Sequence, residues 1–162
     1  MTDREFKQAM GKFATGVTII TTEVDGKPHG MTANAFMSVS LNPKLVLISI
    51  MEKSTTLYKI QESGRFAVNI LAENQMDLSK RFASRKKDIE SVPFDYLDGM
   101  PVIPDCLAQV VCEVSSEYVE GDHTLFVGRV TDLRIRDGEP LIYSGGRYRT
   151  LEKEAEYQQV SV

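Results

Sequence analysis

The chain has 162 residues and a mass of 18.2 kDa, and 42% of its residues are apolar, which fits one globular domain with its own core. Its net charge is -4, which argues against a nucleic-acid partner because phosphate-backbone binding needs clustered, unpaired Lys and Arg. Two cysteines, Cys106 and Cys112, are too few for a zinc site, and no apolar run approaches the ~20 residues of a membrane helix. We therefore expect a cytoplasmic protein with free thiols and no membrane contact.

The N-terminal segment predicts a helix followed by a hairpin. Thr2 and Glu5 have the spacing of a capping box, and the apolar residues that follow recur at helical intervals, so we expect a helix to about Ala14. Residues 17–24 then alternate branched and polar side chains and lead into Asp25-Gly26, a dipeptide that fits a type I′ turn. The stretch after this turn should return antiparallel to residues 17–24.

Residues 29–50 are the stretch around which the rest of the chain is arranged. Residues 45–50 form a nearly continuous apolar run, which is typical of a buried strand. Residues 30–40 place hydroxyl and amide groups, such as those of Thr32 and Asn34, among small apolar side chains. Such a mixture suits a wall against a flat polar ligand, and a flavin is our leading hypothesis. The alternative is a strand pair whose polar side chains face solvent or bond locally.

The middle of the chain predicts two short helices separated by a strand. The first helix follows Ser54 and ends before Gly64, and residues 66–71 should form the strand. The second helix is expected over residues 74–82, and residues 84–105 have the charge and proline content of a long loop.

The last third of the chain is dominated by strands. Residues 108–120 and 124–136 are two long strand candidates, and a shorter one spans residues 141–143. About six antiparallel strands with few helices indicate a closed or nearly closed barrel. We expect one domain over residues 1–151 and a C-terminal tail over 152–162.

Three sites of possible chemistry stay open on the residues alone. Ser49, Lys53, Ser54 and Thr55 follow the buried strand and open a helix, which suits a phosphate group but also describes an ordinary helix start with a surface lysine.

A second site is His123, which ends the tight run Gly121-Asp122-His123; the turn could direct its imidazole into a cleft, although a lone histidine in a loop is often a surface residue. The third site is Tyr148, which could stack on a ring ligand or simply close the barrel. No Rossmann glycine fingerprint and no Walker motif is present, which argues against those nucleotide sites.

Taken together, these stretches resemble the short-chain flavin reductases, the small reductase components of two-component aromatic monooxygenases such as those acting on phenol or 4-hydroxyphenylacetate. The resemblance extends over almost the whole chain. The residues that carry it are 10–18, 29–50, 66–71, 121–128 and 146–148.

The resemblance implies a mainly β protein, an FMN-binding split barrel with six antiparallel strands in Greek-key order and short flanking helices, working as a homodimer with flavin near the subunit interface. It implies an NAD(P)H:flavin oxidoreductase that reduces FAD or FMN, with NADH favoured over NADPH, and supplies reduced flavin by diffusion to a separate oxygenase. A flavin-binding split barrel without turnover is the alternative within this fold, and a β-barrel interaction protein is the alternative from another class.

The resemblance also assigns residues to the cofactors. Those implied to line the isoalloxazine ring are Met31, Thr32, Ala33, Asn34 and Ala35. Those implied to serve the ribityl and phosphate groups are Ser49, Lys53, Ser54 and Thr55. Those implied to close over the flavin are Phe82, Ala83 and Ser84. His123 is implied to approach the nicotinamide, and weaker cofactor contacts are implied for Phe13, Ala14, Thr15, Gly146, Arg147 and Tyr148.

Overall fold

The computed structural model describes residues 1–84 and 89–151, and the predicted tail at 152–162 lies outside the described residues. The α-helices are α1 (Asp3–Met10), α2 (Thr55–Ser63) and α3 (Met76–Ala83), and a 3-10 turn covers Glu73–Gln75. The strands are β1 (Thr15–Gly16), β2 (Thr18–Val24), β3 (Lys27–Ala33), β4 (Phe36–Leu41), β5 (Lys44–Met51), β6 (Arg65–Ile70), β7 (Asp95–Leu97), β8 (Met100–Val102), β9 (Ala108–Glu120), β10 (His123–Ile135), β11 (Ile142–Ser144) and β12 (Arg147–Arg149).

The main sheet has seven strands in the order β3-β2-β6-β9-β10-β5-β4, and all its pairings are antiparallel. Its two edge strands, β3 and β4, are joined by only residues 34–35. Buried side chains from β2, β5, β6, β9 and β10 meet in a single apolar cluster that also takes Leu57 and Ile60 from α2. The sheet therefore wraps around one core, as predicted for a split barrel, but with seven strands instead of six.

The N-terminal helix is shorter than its periodicity predicts. The capping box is confirmed, since the Glu5 amide donates to Thr2 Oγ1 at 3.2 Å and the Thr2 amide donates to Glu5 Oε2 at 2.7 Å. The helix ends at Met10 instead of Ala14. Glycine at position 11 disfavours its continuation, and the chain then extends so that Thr15 pairs with Tyr143.

The stretch 29–50 contains a break that the sequence did not reveal. The hairpin turn before it is confirmed, with φ angles of 52° at Asp25 and 69° at Gly26, and so is the buried strand β5. However, β3 pairs with β2 whereas β4 pairs with β5, so the chain crosses from one sheet edge to the other at residues 34–35. In β4 the register shifts between Ser38 and Ser40, which leaves Val39 as a bulge.

The predicted loop at 84–105 is wrong in part. It contains the β7–β8 hairpin, whose turn at Asp98 and Gly99 has φ angles of 47° and 72°. The strand predicted at 141–143 is confirmed as β11, which forms a small separate sheet with β1 and β12. The strand count exceeds the prediction because short strands such as β1, β7, β8 and β12 were not recognised.

A second apolar cluster fixes α3 and the β11–β12 hairpin beside β3. It joins Val17 and Ile19 to Phe82 and Leu141. The contact between β3 and α3 is close enough to require glycine, because a Cβ at Gly30 would lie 2.9 Å from the Phe82 ring and 2.9 Å from the Ile20 carbonyl oxygen. Within residues 1–84 and 89–151, no helix has the length and apolar character to cross a membrane.

Candidate functional site

A cleft of about 180 Å³ lies where β3, α3 and the β11–β12 hairpin meet. We call it the ring cleft. The predicted site residues that line it are Thr32, Ala33, Asn34, Ala83 and Tyr148. The other lining residues, which sequence reasoning missed, are Val17, Ser79 and Tyr143. The structure thus brings residues that are far apart in sequence to one concave surface.

Hydrogen bonds hold the three walls of the ring cleft together. Thr32 Oγ1 donates to the Ser79 carbonyl oxygen at 2.6 Å, and the hydroxyls of Ser79 and Tyr148 lie 2.8 Å apart. The Tyr148 ring also packs edge-on against Tyr143, with ring centroids 5.4 Å apart. These contacts fix the plane of an aromatic ring beside the small side chain of Ala33, an arrangement that can take a flat ligand.

One corner of the ring cleft joins β1. Asn34 Nδ2 donates to Thr15 Oγ1 at 3.3 Å, and Thr15 pairs with Tyr143. Phe13, by contrast, is 78% exposed and does not line this cleft. Of the weaker contacts predicted near the N-terminus, only Thr15 is therefore tied to the ring-lining residues.

The residues predicted to serve the phosphate lie at the end of β5 and the start of α2. Ser54 is the N-cap of α2 but makes no side-chain cap bond; its hydroxyl donates to Met31 Sδ at 3.3 Å. The Ser49 amide donates to the Ala35 carbonyl oxygen at 3.1 Å. Because Met31 and Ala35 flank the ring-cleft residues on the chain, the predicted phosphate and ring residues lie next to each other.

His123 begins β10 and pairs with Met51 at the end of β5. Its Nδ1 donates to Asp122 Oδ1 at 2.7 Å, which leaves Nε2 for other contacts. This hydrogen bond, together with the charges of His123 and Lys53, holds the pKa of Asp122 below its usual value. His123 therefore lies beside the predicted phosphate residues and does not line the ring cleft.

The remaining predicted site residues differ in how deeply they are buried and in which cleft they line. Phe82 is fully buried and packs edge-on against Phe94 at 6.2 Å, so its ring cannot cover a ligand in this arrangement. Ser84 follows the end of α3 and is exposed. Arg147 is exposed on β12, and Gly146 lines a different cleft, next to α1.

The missed residues differ in how far the sequence could have revealed them. Ser79 and Ala83 are four residues apart on α3, so the helical period places both on one face once Ala83 is suspected. Tyr143 enters the cleft through the pairing of β1 with β11, which no local pattern indicates. No cluster of three metal-ligating side chains occurs in the part of the chain that the structure describes.

Comparisons with known proteins agree on one family. The family model described as flavin reductase like domain matches residues 10–152. An NADH-dependent flavin reductase from a Rhodococcus species is 43% identical, covering 94% of this chain and 88% of the relative. HsaB, the reductase subunit of a flavin-dependent monooxygenase from Rhodococcus jostii, is 39% identical, covering 92% of this chain and 78% of the relative. The structure of flavin reductase PheA2 in its native state gives a TM-score of 0.91 at 57% identity, covering 94% of this chain and all of the other.

Proposed function

Because this chain belongs to the flavin reductase-like family, we propose that it is an NADH-dependent flavin reductase that reduces FAD or FMN and supplies the product to a separate flavin-dependent aromatic monooxygenase. The ring cleft carries the proposal. Its walls, from Thr32 to Tyr148, lie within the part of the chain that the family model matches. Residues 1–151 act as one domain in this proposal.

The chain's own residues bind and orient, since nicotinamide and flavin themselves supply the hydride chemistry when bound. Ala33 allows a ring to approach the wall closely, and Tyr148 is held in place by Ser79. β3 is a sheet edge, so its outer main-chain amides can donate to a ring as negative charge enters it. At positions 82 to 84, a flavin contact would come from Ala83, Ser84 and the main chain.

The phosphate subsite in this proposal is Ser49, Lys53, Ser54 and Thr55, and its support is the contact of Ser54 with Met31. Replacing both Ser49 and Lys53 by Ala should weaken flavin binding in a fluorescence titration, because charge-assisted contacts to the phosphate are lost. Riboflavin, which has no phosphate, serves as the matched ligand control. Equal affinity of the variant and the parent protein for FMN would place the phosphate elsewhere.

A homodimer is part of the proposal because one subunit offers too little volume. The ring cleft has about 180 Å³, whereas small-molecule sites usually have roughly 300 to 1,000 Å³. Phe6 and Met10 on α1, and Phe13 just after it, are 51%, 57% and 78% exposed, and such a group of exposed apolar side chains is typical of a contact surface. Light scattering of the active protein at micromolar concentration should give twice the chain mass; a monomeric mass with full activity would contradict this.

The activity is tested by following NADH oxidation with added FAD or FMN under oxygen-free conditions. Turnover that depends on flavin supports the proposal. Tight flavin binding without turnover would instead favour the flavin-binding protein, and neither binding nor turnover would favour the interaction protein.

The transfer to the oxygenase by diffusion needs a separate test. A flavin held at an open cleft can leave, so we expect reduced flavin to cross a dialysis membrane from the reductase to an aromatic hydroxylase without oxygen. The readout is reduced flavin on the hydroxylase side. If none crosses, and hydroxylation after oxygen is admitted appears only when the two proteins are mixed directly, the two proteins must dock instead.

A further inference from the structure

Two consecutive residues of α3 hold the side chain of Tyr148. The hydroxyl of Ser79 lies 2.8 Å from the Tyr148 hydroxyl. The next residue, Lys80, places its Nζ over the face of the same ring, 6.0 Å from the ring centroid, which is the range of a cation–π contact. Because Tyr148 lines the ring cleft, a positive charge lies against one wall of that cleft.

Lys80 makes this contact in place of an ordinary helix ion pair. Asp77 lies three residues earlier on α3, the spacing at which Lys59 pairs with Glu62 on α2. Lys80 forms no ion pair with Asp77 or with any other carboxylate among residues 1–84 and 89–151. Its ammonium group is therefore not neutralised by a neighbouring charge.

Helix stability accounts for the presence of this charge but not for its position. Lys80 and Arg81 both lie in the last turn of α3, where a cation interacts favourably with the helix dipole. Arg81 Nη1 donates to Ser91 Oγ at 3.2 Å, whereas Lys80 extends over Tyr148. The dipole favours both cations alike, so the placement of Lys80 at the ring cleft has a different reason.

The lining of the ring cleft is uncharged in the part of the chain that the structure describes. Arg147 and Arg149 flank Tyr148 on β12, but successive side chains of a strand point to opposite faces, so both arginines point away from the Tyr148 side. Lys80 thus supplies a charge that the lining itself lacks.

This charge matters because hydride transfer changes the charge of the acceptor ring. A hydride carries two electrons and one proton, so a neutral oxidised flavin ring that accepts it becomes an anion, while the nicotinamide becomes a cation. A nearby ammonium group attracts the anionic ring and has little effect on the neutral one. A ring packed against Tyr148 would lie on the order of 10 Å from Nζ, where water and salt reduce the attraction without abolishing it.

We propose that Lys80, positioned by the ring of Tyr148, makes the ring cleft favour reduced over oxidised flavin. The inference rests on the proposed function and assigns to it a residue outside the lining of the cleft. The charge favours the product of hydride transfer, and its modest effect still allows that product to leave by diffusion.

The test compares the dissociation constants of oxidised and dithionite-reduced FMN, measured by ultrafiltration without oxygen. Lys80→Gln removes the charge, Lys80→Arg keeps it, and Lys44→Gln, at the exposed start of β5, is the matched control. Because FMN carries its phosphate in both states, the ratio of the oxidised to the reduced constant isolates the charge on the ring. Circular dichroism checks that each variant keeps the fold.

Lys80→Gln should weaken the binding of reduced FMN about threefold and leave that of oxidised FMN nearly unchanged. Lys80→Arg and Lys44→Gln should keep the parent ratio. Added salt should lower the ratio in the parent protein but not in Lys80→Gln. An unchanged ratio in Lys80→Gln, including equal weakening of both forms, would overturn the inference. If the parent protein binds neither form, the proposed function fails instead.

A second comparison tests whether the ring of Tyr148 positions the ammonium group. In a Tyr148→Leu background the lysine has no aromatic face to lie over, so Lys80→Gln should there change the ratio by less than about 1.5-fold. A change as large as in the parent protein would show that Tyr148 does not position Lys80.

Discussion

Two regions of this molecule use polar side chains in the same way and differ in what they leave between their walls. On one side of the main sheet, Asn69 Nδ2 donates to the Ile19 carbonyl oxygen at 2.9 Å, and Asn69 Oδ1 accepts from the Ile103 amide at 2.8 Å. Thr21 Oγ1 donates to the Pro101 carbonyl oxygen at 2.6 Å. These bonds fasten residues 101–104 onto the sheet, and Thr21 and Asn69 are fully buried.

The ring cleft is built by the same device but is left open. Thr32 bonds to α3 and Ser79 bonds to Tyr148, yet Thr32 and Tyr148 are only half-buried. The first region is sealed, so its hydrogen bonds contribute to stability; the second keeps a concave surface, so its hydrogen bonds shape a site. Polar residues in strands therefore indicate a binding site only where no other segment of the chain covers them.

The largest expected effect is on the sealed region. Asn69→Ala removes a side chain that bonds to Ile19, Thr21 and Ile103 and takes away the acceptor of the Ile103 amide. The free energy of unfolding, measured in urea, should therefore fall by about 3 kcal/mol. Asn74→Ala, at an exposed asparagine, is the control and should change stability little. A loss below about 1 kcal/mol would show that residues 101–104 are not held by this side chain.

A smaller effect on stability is expected at the ring cleft. Tyr148→Phe keeps the ring but removes the bond to Ser79, and it should cost about 1 kcal/mol of stability. Flavin affinity should fall severalfold because the ring loses its fixed position. Tyr118→Phe, at a tyrosine that is 55% exposed, should change neither quantity. If Tyr148→Phe lowers stability but leaves flavin affinity unchanged, the bond between Ser79 and Tyr148 only stabilises the fold and does not shape a binding site.

His123→Ala should leave stability nearly unchanged, since within residues 1–84 and 89–151 its side chain bonds only to its exposed neighbour Asp122. It should lower the rate of NADH oxidation while flavin affinity stays the same, because we assign it to the nicotinamide. Stopped-flow reduction and flavin titration separate the two quantities. Parent-like kinetics would make His123 a surface residue.

The smallest effect is an expected lack of reaction. Burial raises the pKa of both Cys106 and Cys112 to about 12, so at pH 8 only about one thiol in ten thousand is ionised. A thiol reagent should therefore label the native protein very slowly and both cysteines quickly in denaturant. Rapid labelling of the native protein would show that the buried surroundings of Cys106 and Cys112 open to solvent.

The sequence predicted elements that depend on neighbouring residues. The capping box of α1, the Asp25-Gly26 turn and the buried strand β5 are all confirmed, because each is determined by a few adjacent side chains. The resemblance of several stretches to the short-chain flavin reductases also identified the family, which the match of the family model over residues 10–152 confirms. The ring cleft was predicted in part, through Thr32 to Asn34, Ala83 and Tyr148.

What the sequence did not reveal depends on long-range pairing. β1 exists only because Thr15 and Gly16 pair with β11 near the other end of the chain, and the same pairing brings Tyr143 into the cleft. The crossing at residues 34–35 follows from such pairings as well. The buried role of Asn69 was not recognised because an amide in a strand has the same local pattern whether it is covered or exposed.

The bulge at Val39 bears on how these barrels avoid aggregation. β4 is a sheet edge with exposed Met37 and Leu41, and a straight apolar edge strand invites stacking with other copies into an open-ended polymer. The register shift between Ser38 and Ser40 interrupts the row of main-chain groups that such stacking would use. A second strand can therefore follow this edge only by matching the bulge, which favours a closed, specific contact over the growth of a fibre.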